Sequence, residues 1–415
     1  MIYCCIDLKS FFASVECVER GLDPFRASLV VADPDRGNGS ICLAVSPRLK
    51  ALGVKNRCRV FEIPKNIEYI TAPPRMKLYM KYSADIYGIY LNYISKDDIH
   101  VYSIDECFIN LTPYLKLYNR DGKGMAQMLR QAVFEKTGIT ATCGVGTNMF
   151  LAKIALDITA KKTPDGIGVL DEKIFKKTLW YHRPITDIWN IGSGIAKRLE
   201  KYGVYDLHGV TQIDPAILYK EFGINAEFLI DHANGIEPCT IEEIHAYKSK
   251  TRSLSNGQIL FEDYKYSDAL TVMKEMADNL VLELADKGLT CGNVSLWVGY
   301  SKDVRPSTGA TRKLSDRTNS FRKIAGKLTE IFMETTDKEQ PIRRINIGLG
   351  DVSYERSCSL DLFGEQENDE KEEKVYKAVA GIKKEFGKNA IVKAISYKEK
   401  ATGIARNGMV GGHKG

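Results

Sequence analysis

The 415-residue chain is 44% hydrophobic and 27% charged, with a net charge of +6. At about 100–200 residues per domain, that length predicts roughly two to four domains, and the apolar fraction excludes wholesale disorder. No stretch approaches the roughly 20 continuous apolar residues of a membrane-spanning helix, and the first seven residues lack the basic start of a secretory signal, so no membrane partner and a cytosolic location are expected.

Residues 2–6 form a short apolar run ending at Asp7, the pattern of a buried strand. Ser10 is placed to cap the helix that follows through Phe11, Val15 and Val18, and Asp23-Pro24 ends it. Residues 27–76 alternate short strands and turns, with one helical piece near 47–52. A longer helix is predicted over 76–95. Residues 100–111 alternate apolar and polar and read as a hairpin or bent strand centred on Asp105-Glu106. A helix over 124–136, a strand over 140–145 and a helix over 147–162 follow; Thr147 caps the last and Pro164-Asp165-Gly166 ends it. This order predicts an antiparallel sheet with helices on one face and a small subdomain inserted at 19–76. A compact helical region spans about 170–238. The polar stretch 242–251 has no periodicity and reads as linker. Residues 252–356 resume strands (257–261, 292–299, 344–349) and two amphipathic helices (267–284, 319–333), a second α+β unit. Beyond the acidic run at 365–374 the chain is Lys/Gly-rich and is expected to be loosely ordered.

The ten cysteines are scattered, apart from Cys4-Cys5, and none forms a C-x-x-C pair. That pattern gives no zinc or thioredoxin-like signal and fits small buried residues in a reducing compartment. The net charge alone is weak evidence for a polyanionic partner. Its distribution says more: residues 302–327 carry eight Lys or Arg against two acids, and residues 365–374 carry six acids against two lysines.

The first chemical signal is a set of carboxylates. Asp7 ends a buried strand, and Asp105 and Glu106 sit at the apex of the second hairpin. Each alone is compatible with an ordinary polar strand end or turn. Yet Cys5-Ile6 precede Asp7, Ile104 precedes Asp105 and Phe108-Ile109 follow Glu106, and solvated turn acids are seldom enclosed by such apolar runs. Three carboxylates converging beside one sheet repel one another unless cations are bound, and hard divalent metals are the natural resolution. Two such ions suit an in-line phosphoryl displacement.

Ile6-Asp7-Leu8-Lys9-Ser10-Phe11-Phe12-Ala13-Ser14-Val15-Glu16 resembles the opening motif of the Y-family, or translesion, DNA polymerases. Tyr102-Ser103-Ile104-Asp105-Glu106-Cys107-Phe108 resembles their second metal motif, and Gly144-Val145-Gly146-Thr147-Asn148 with Leu151-Ala152-Lys153-Ile154-Ala155 resembles the segment leading into the nucleotide-side helix of their palm. The resemblance extends over roughly the first 355 residues. It implies an α+β multidomain chain: a right-hand polymerase with a ferredoxin-like palm (1–18 and 77–168), small fingers (19–76), a helical thumb with a helix-hairpin-helix (169–238), a linker (239–251), a little finger (252–356) and a tail (357–415).

By the same resemblance, Asp7, Asp105 and Glu106, with the Leu8 carbonyl, would hold two Mg²⁺ ions. Phe12 matches a steric gate that excludes a 2′-hydroxyl. Of Phe11 and Phe12, one is expected in the core and one at the nucleotide; helix geometry alone does not say which, and the resemblance picks Phe12. Lys50 and Lys161 match positions that reach the triphosphate. The sequence departs from the family at Pro47 and in the longer Ala160-Lys161-Lys162-Thr163-Pro164, where Lys162 competes with Lys161.

Ile188-Trp189-Asn190-Ile191-Gly192-Ser193-Gly194-Ile195-Ala196 resembles a helix-hairpin-helix. Its Gly192 and Gly194 would expose backbone N–H groups to phosphate, followed by Lys197, Arg198 and Lys201. In the second unit Arg305, Arg312, Lys313, Arg317, Arg322 and Lys323 would track the DNA backbone; a solvated basic face is the plainer alternative. Ser359-Leu360-Asp361-Leu362-Phe363 resembles a short motif that docks on the sliding clamp, through Leu360, Leu362 and Phe363. The last residues resemble the tail of a Gram-positive UmuC-like subgroup.

The expected activity is therefore template-directed, error-prone DNA synthesis in damage tolerance, by a monomer acting on a primed template and dNTPs. Two other classes stand beside it. A palm-fold nucleotide cyclase shares paired carboxylates but predicts neither the helix-hairpin-helix nor a basic second domain. A catalytically silent DNA-binding scaffold needs none of the three carboxylates.

Overall fold

The computed structural model describes residues 1–249, 252–301, 304–354 and 365–415. The clamp-like motif with Leu360, Leu362 and Phe363 lies outside the described residues. The chain divides into two compact units, one over Met1–Tyr247 and one over Lys248–Lys414.

In the first unit, β1 (Tyr3–Leu8) leads into α1 (Phe11–Val18). A small three-stranded sheet follows, of β2 (Leu29–Val31), β3 (Ala44–Val45) and β4 (Ile70–Ala72), with α2 (Pro47–Ala51) between the last two. Next come α3 (Met76–Leu91), β5 (Ile99–Val101), β6 (Glu106–Asn110), α4 (Tyr114–Leu117), α5 (Gly122–Thr137), β7 (Ala141–Gly146), α6 (Met149–Ile154) and β8 (Ile167–Leu170). The main sheet has the order β5-β6-β1-β7-β8. It is antiparallel except for β8, which runs parallel to β7 and was not anticipated from its four residues.

Alternation along β1 assigns its two faces. Cys4, Ile6 and Leu8 join a core with α3 and α5 residues such as Tyr90, Met125 and Leu129. Tyr3 and Cys5 point the other way, onto Met149, Ala152 and Leu156. Helices therefore cover both faces, against the expectation of one. The alternating glycines explain the second face. A Cβ at Gly144 would stand 2.0 Å from the Ala152 carbonyl, and one at Gly146 2.3 Å from the Ala152 nitrogen, so α6 can rest its backbone directly on the sheet.

Two expected caps are not made. Ser10 is left-handed (φ 50°) and its hydroxyl has no partner; its neighbour Ser14 donates to the Lys9 carbonyl instead. Asn148, not Thr147, caps α6 by accepting from the Leu151 N–H, while Thr147 bonds Glu172. The expected 147–162 helix passes through a wider turn at Ala155–Thr159 and a tight one at Ala160–Lys162.

A helical region follows: α7 (Glu172–Thr178), α8 (Ser193–Glu200), α9 (Leu207–Thr211), α10 (Pro215–Phe222), α11 (Ala226–Ala233) and α12 (Ile241–Ala246). The last occupies part of the expected linker. Thr240 and Glu243 form a reciprocal capping box there, and buried Ile241 packs with Tyr3, Cys5 and Phe108.

The second unit is a four-stranded antiparallel sheet, β11-β10-β12-β9, built from β9 (Leu254–Tyr264), β10 (Cys291–Tyr300), β11 (Thr308–Thr318) and β12 (Ile342–Gly350). One face packs on α13 (Tyr266–Lys287) and α14 (Phe321–Thr335) through Val294, Leu296, Val298, Ile345 and Ile347. The region beyond the acidic run is not loose. It begins in α15 (Glu365–Phe386) and continues to α16 (Gly403–Asn407). Tyr376 and Ala380 are buried, the Tyr376 hydroxyl donates to Asp278, and Glu275 accepts from the amides of Thr402 and Gly403.

Candidate active site

The sheet brings the three carboxylates together. Asp7 on β1 stands directly opposite Glu106 on β6, and the Leu8 N–H donates to the Asp105 carbonyl at 2.9 Å. All three are partly buried. Ser103 Oγ donates to Asp105 Oδ1 at 2.7 Å, fixing that carboxylate within its turn.

Glu106 points to α6. Its Oε1 lies 2.7 Å from Lys153 Nζ and accepts from the Cys5 thiol at 3.1 Å. Lys153 is only 8% exposed and also bonds Asp157 at 3.1 Å. Burial would lower its ammonium, but the Glu106 bond and Asp157 outweigh that and raise it. Sequence reasoning missed Lys153. The available signal was a lone cation between Ala152 and Ile154 on a buried helix.

Asp7 is different. Burial, then the charges of Asp105 and Glu106, push its carboxyl up to about 7, with Lys153 opposing. The folded state thus holds the Asp7 proton more tightly than the unfolded chain. Stability falls as pH rises from the ordinary aspartate range through about 7, because the unfolded chain gives up this proton first. In chelator-treated protein, Asp7→Asn is expected to melt higher than wild type at pH 8, by about 2–4 °C per kcal/mol relieved, and the advantage should shrink to nothing near pH 4. A melting series across that range checks it; a gap independent of pH would show that Asp7 carries no repulsion.

No group of three His, Cys, Asp or Glu side chains among the described residues is disposed to hold a metal. Glu106 is paired with Lys153 instead. The donor chemistry nonetheless suits a hard divalent cation, since Asp7 and Asp105 repel across a site rich in oxygen ligands.

Asp7 opens into a cavity of 660 Å³ that also carries Lys9, Ser10, Lys50, Arg130 and Lys161. Both expected triphosphate lysines thus line one space with the catalytic-side aspartate, and Lys162 is not among the lining residues. Pro47 explains itself here. It occupies the first turn of α2, Ser46 caps that helix, and Lys50 is carried one turn on. Partial burial lowers the Lys50 ammonium; Asp7 opposes this, and Lys9 and Lys161 reinforce it.

The two phenylalanines separate cleanly. Phe11 is 2% exposed and its ring belongs to the core, the place expected for whichever of the two rings is not at the nucleotide. Phe12 is partly exposed and stacks on Tyr79, with ring centres 4.4 Å apart and an interplanar angle of 15°. Tyr79 is anchored beneath. Its hydroxyl donates to Glu16, a fully buried carboxylate that Arg75 grips with two 2.8 Å bonds and that Arg20 also reaches. Burial alone would raise the Glu16 carboxyl, but these partners hold it below its ordinary value. No sequence signal linked Tyr79 to Phe12, because their contact depends on how α3 packs across α1.

Gly192, Ser193 and Gly194 are exposed at the start of α8, which has no side-chain cap, and Lys197 is exposed one turn later. Arg198 turns inward, over the Phe222 ring at 4.3 Å. In the second unit the expected basic track is largely spent on internal pairs. Arg312 faces α14 and pairs with Glu334, Arg317 pairs with Asp351, and Arg322 and Lys323 pair with Asp369. Arg305 pairs with Asp337. Arg312 and Arg322 are nonetheless exposed, and surface pairs of this kind are weak enough to yield to a phosphate. Lys313, opposite Asn293, lies on the uncovered sheet face, as do Arg344 and Trp297, the latter 48% exposed.

Both units of the chain match known proteins. A family model described as the impB/mucB/samB family matches residues 6–157, and that for the family's C-terminal domain matches residues 251–362. A Bacillus subtilis (strain 168) protein provisionally named as the UV-damage repair protein UvrX is 30% identical over 413 residues, 99% of this chain and 97% of that protein. DNA polymerase IV 2 of the same organism is 30% identical over 415 residues, covering 98% and 97%. Among solved structures, a Y-family DNA polymerase chimera of Dbh and Dpo4 superposes with a TM-score of 0.67 at 23% identity, over 86% of this chain and all of that one. At that identity the likeness is one of fold.

Proposed function

The chain belongs to the impB/mucB/samB family, and from that membership we propose that it is a translesion DNA polymerase, adding deoxynucleotides to a primer 3′-hydroxyl during DNA damage tolerance. The single observation that carries the reading is that the sheet brings Asp7 beside Asp105 and Glu106 while Asp7 also lines a cavity with Lys50 and Lys161. No helix among the described residues is long and apolar enough to cross a membrane.

In this reading Asp7, Asp105 and Glu106, with the Leu8 carbonyl, would hold two Mg²⁺ ions; Glu106 is paired with Lys153 in this structure. Bound there, a pair of Mg²⁺ ions would supply charge neutralisation and a more acidic primer hydroxyl. The chain's own residues do the rest. Lys50 and Lys161 receive the triphosphate. Phe12 closes the space under the sugar, backed by Tyr79. Lys153 neutralises Glu106, which limits the repulsion among the three carboxylates. Gly192, Gly194 and Lys197 hold duplex phosphates without reading sequence. The uncovered sheet face of the second unit, with Lys313 and Arg344, is assigned to the same partner.

The domain reading follows the resemblance: palm at 1–18 and 77–168, fingers at 19–76, thumb at 169–238, linker at 239–251, little finger at 252–356 and tail at 357–415. The sliding clamp remains the proposed partner of the Leu360–Phe363 segment. Extension of a primed template with dNTPs and Mg²⁺ tests the activity; duplex binding with no extension under any divalent ion would favour the scaffold reading. Within that assay Lys161→Ala is expected to raise the dNTP KM about tenfold to a hundredfold, the loss of one charge-assisted bond of about 1.5–3 kcal/mol, while Lys162→Ala leaves it within twofold. Equal effects from the two would return the choice between them to open.

A further inference from the structure

Trp189 precedes the Gly192-Ser193-Gly194 turn and is not used by the mechanism above. Its indole reaches across the first unit to the other motif. Nε1 donates to the Tyr102 hydroxyl at 3.1 Å. The ring stands edge-on to Tyr102, with centroids 6.0 Å apart and planes at 74°, and lies 5.7 Å from Phe108. Behind it, Trp189 stacks on His232 at 5.9 Å. His232 is itself stacked on Phe150 at 4.1 Å, and its Nε2 lies 2.9 Å from Glu237. Trp189 is thus held between a buried aromatic stack and the hairpin.

Tyr102 opens the hairpin that carries the carboxylates. The N–H groups of Tyr102 and Ser103 both donate to the Glu106 carbonyl at 3.0 Å, and Ser103 fixes Asp105. Trp189 and Tyr102 thus link the segment leading to the phosphate-binding turn with the hairpin that carries Asp105 and Glu106. Tyr102 is 46% exposed. Its ring stands edge-on to Phe108 with centroids 5.6 Å apart, and its hydroxyl is held by the indole bond.

We propose that Trp189 is a positioning residue that props the Asp105-Glu106 hairpin through Tyr102, so that the turn that grips duplex and the turn that binds metal are mechanically one piece. The inference rests on the polymerase reading. A contiguous contact path is not yet coupling, so a double-mutant cycle decides it.

The full-length chain would be compared as wild type, Trp189→Phe, Tyr102→Phe and the double variant. Trp189→Phe keeps an aromatic ring and removes the donor. Tyr102→Phe removes one exposed hydroxyl and leaves folding intact even where the tryptophan variant does not. Each single change is expected to lower kcat about threefold to tenfold, the worth of one hydrogen bond, with duplex Kd within twofold of wild type. Mn²⁺ affinity, read by electron paramagnetic resonance without DNA or nucleotide, should weaken by a similar factor. The double variant should be no worse than the poorer single one. Multiplying effects, an unchanged kcat, or a loss confined to duplex Kd would each overturn the inference. A wild type that binds Mn²⁺ but extends no primer would sink the polymerase reading instead; Mn²⁺ affinity in Tyr102→Phe then decides this one alone, and a wild-type value overturns it.

Discussion

Asp105→Asn is expected to slow primer extension by at least about 10²–10³-fold, the scale of losing one preorganised charge at the reacting centre, with duplex Kd unchanged. The substitution is nearly isosteric. Its side-chain oxygen can still accept from Ser103, so the turn should keep its shape, and what is lost is charge. That isolates the electrostatic contribution. Removing a negative charge beside Asp7 also lets its carboxyl fall back toward the ordinary aspartate value, so Asp7 alone would be better ionised and still fail to compensate. Steady-state extension of a primed template with dNTPs and Mg²⁺ is the measurement. Equal rates in the two proteins would remove the metal from the mechanism, and with it the enzymatic reading of all three carboxylates.

The second large effect concerns sugar selection. Phe12→Ala should raise the ratio of ribonucleotide to deoxynucleotide incorporation by about one to two orders of magnitude, since a steric clash of about 1–3 kcal/mol is removed. A wall excludes only if it is stiff. Tyr79 supports the Phe12 ring face to face, and Glu16 with Arg75 holds Tyr79 from below. Phe11→Leu is the informative control. It should cost stability through the core and leave the ratio unaltered, because that ring is buried in the core. A ratio that moves in the Phe11 variant and not in the Phe12 variant would reverse the assignment.

How much of this could be read from residues alone differs by element. The carboxylates were legible because acids enclosed by apolar residues are anomalous in one dimension. The strands of the main sheet were legible for the same reason, apart from β8, which is too short to show a period. β11 escaped because half-exposed Thr, Arg and Lys alternate there without an apolar mark. The pairing of Arg312 with Glu334 and of Arg317 with Asp351 depends on contacts distant along the chain, which a local run of cations conceals. α12 was a different kind of miss. Thr240 and Glu243 carry the capping signature in plain view, and the polarity of the stretch hid it. In α15, Tyr376 and Ala380 lie one turn apart on the buried side, diluted among lysines and acids.

The last of these has a practical side. The family's C-terminal match stops at residue 362, yet buried Glu275 takes its backbone partners from Thr402 and Gly403, and Asp278 takes its phenol from Tyr376. A fragment trimmed to the homology boundary would strip both acids of these donors and bare the side of α13 that α15 shelters. Heredity and autonomy draw different borders in this polypeptide, and anyone excising its second half should cut by the latter.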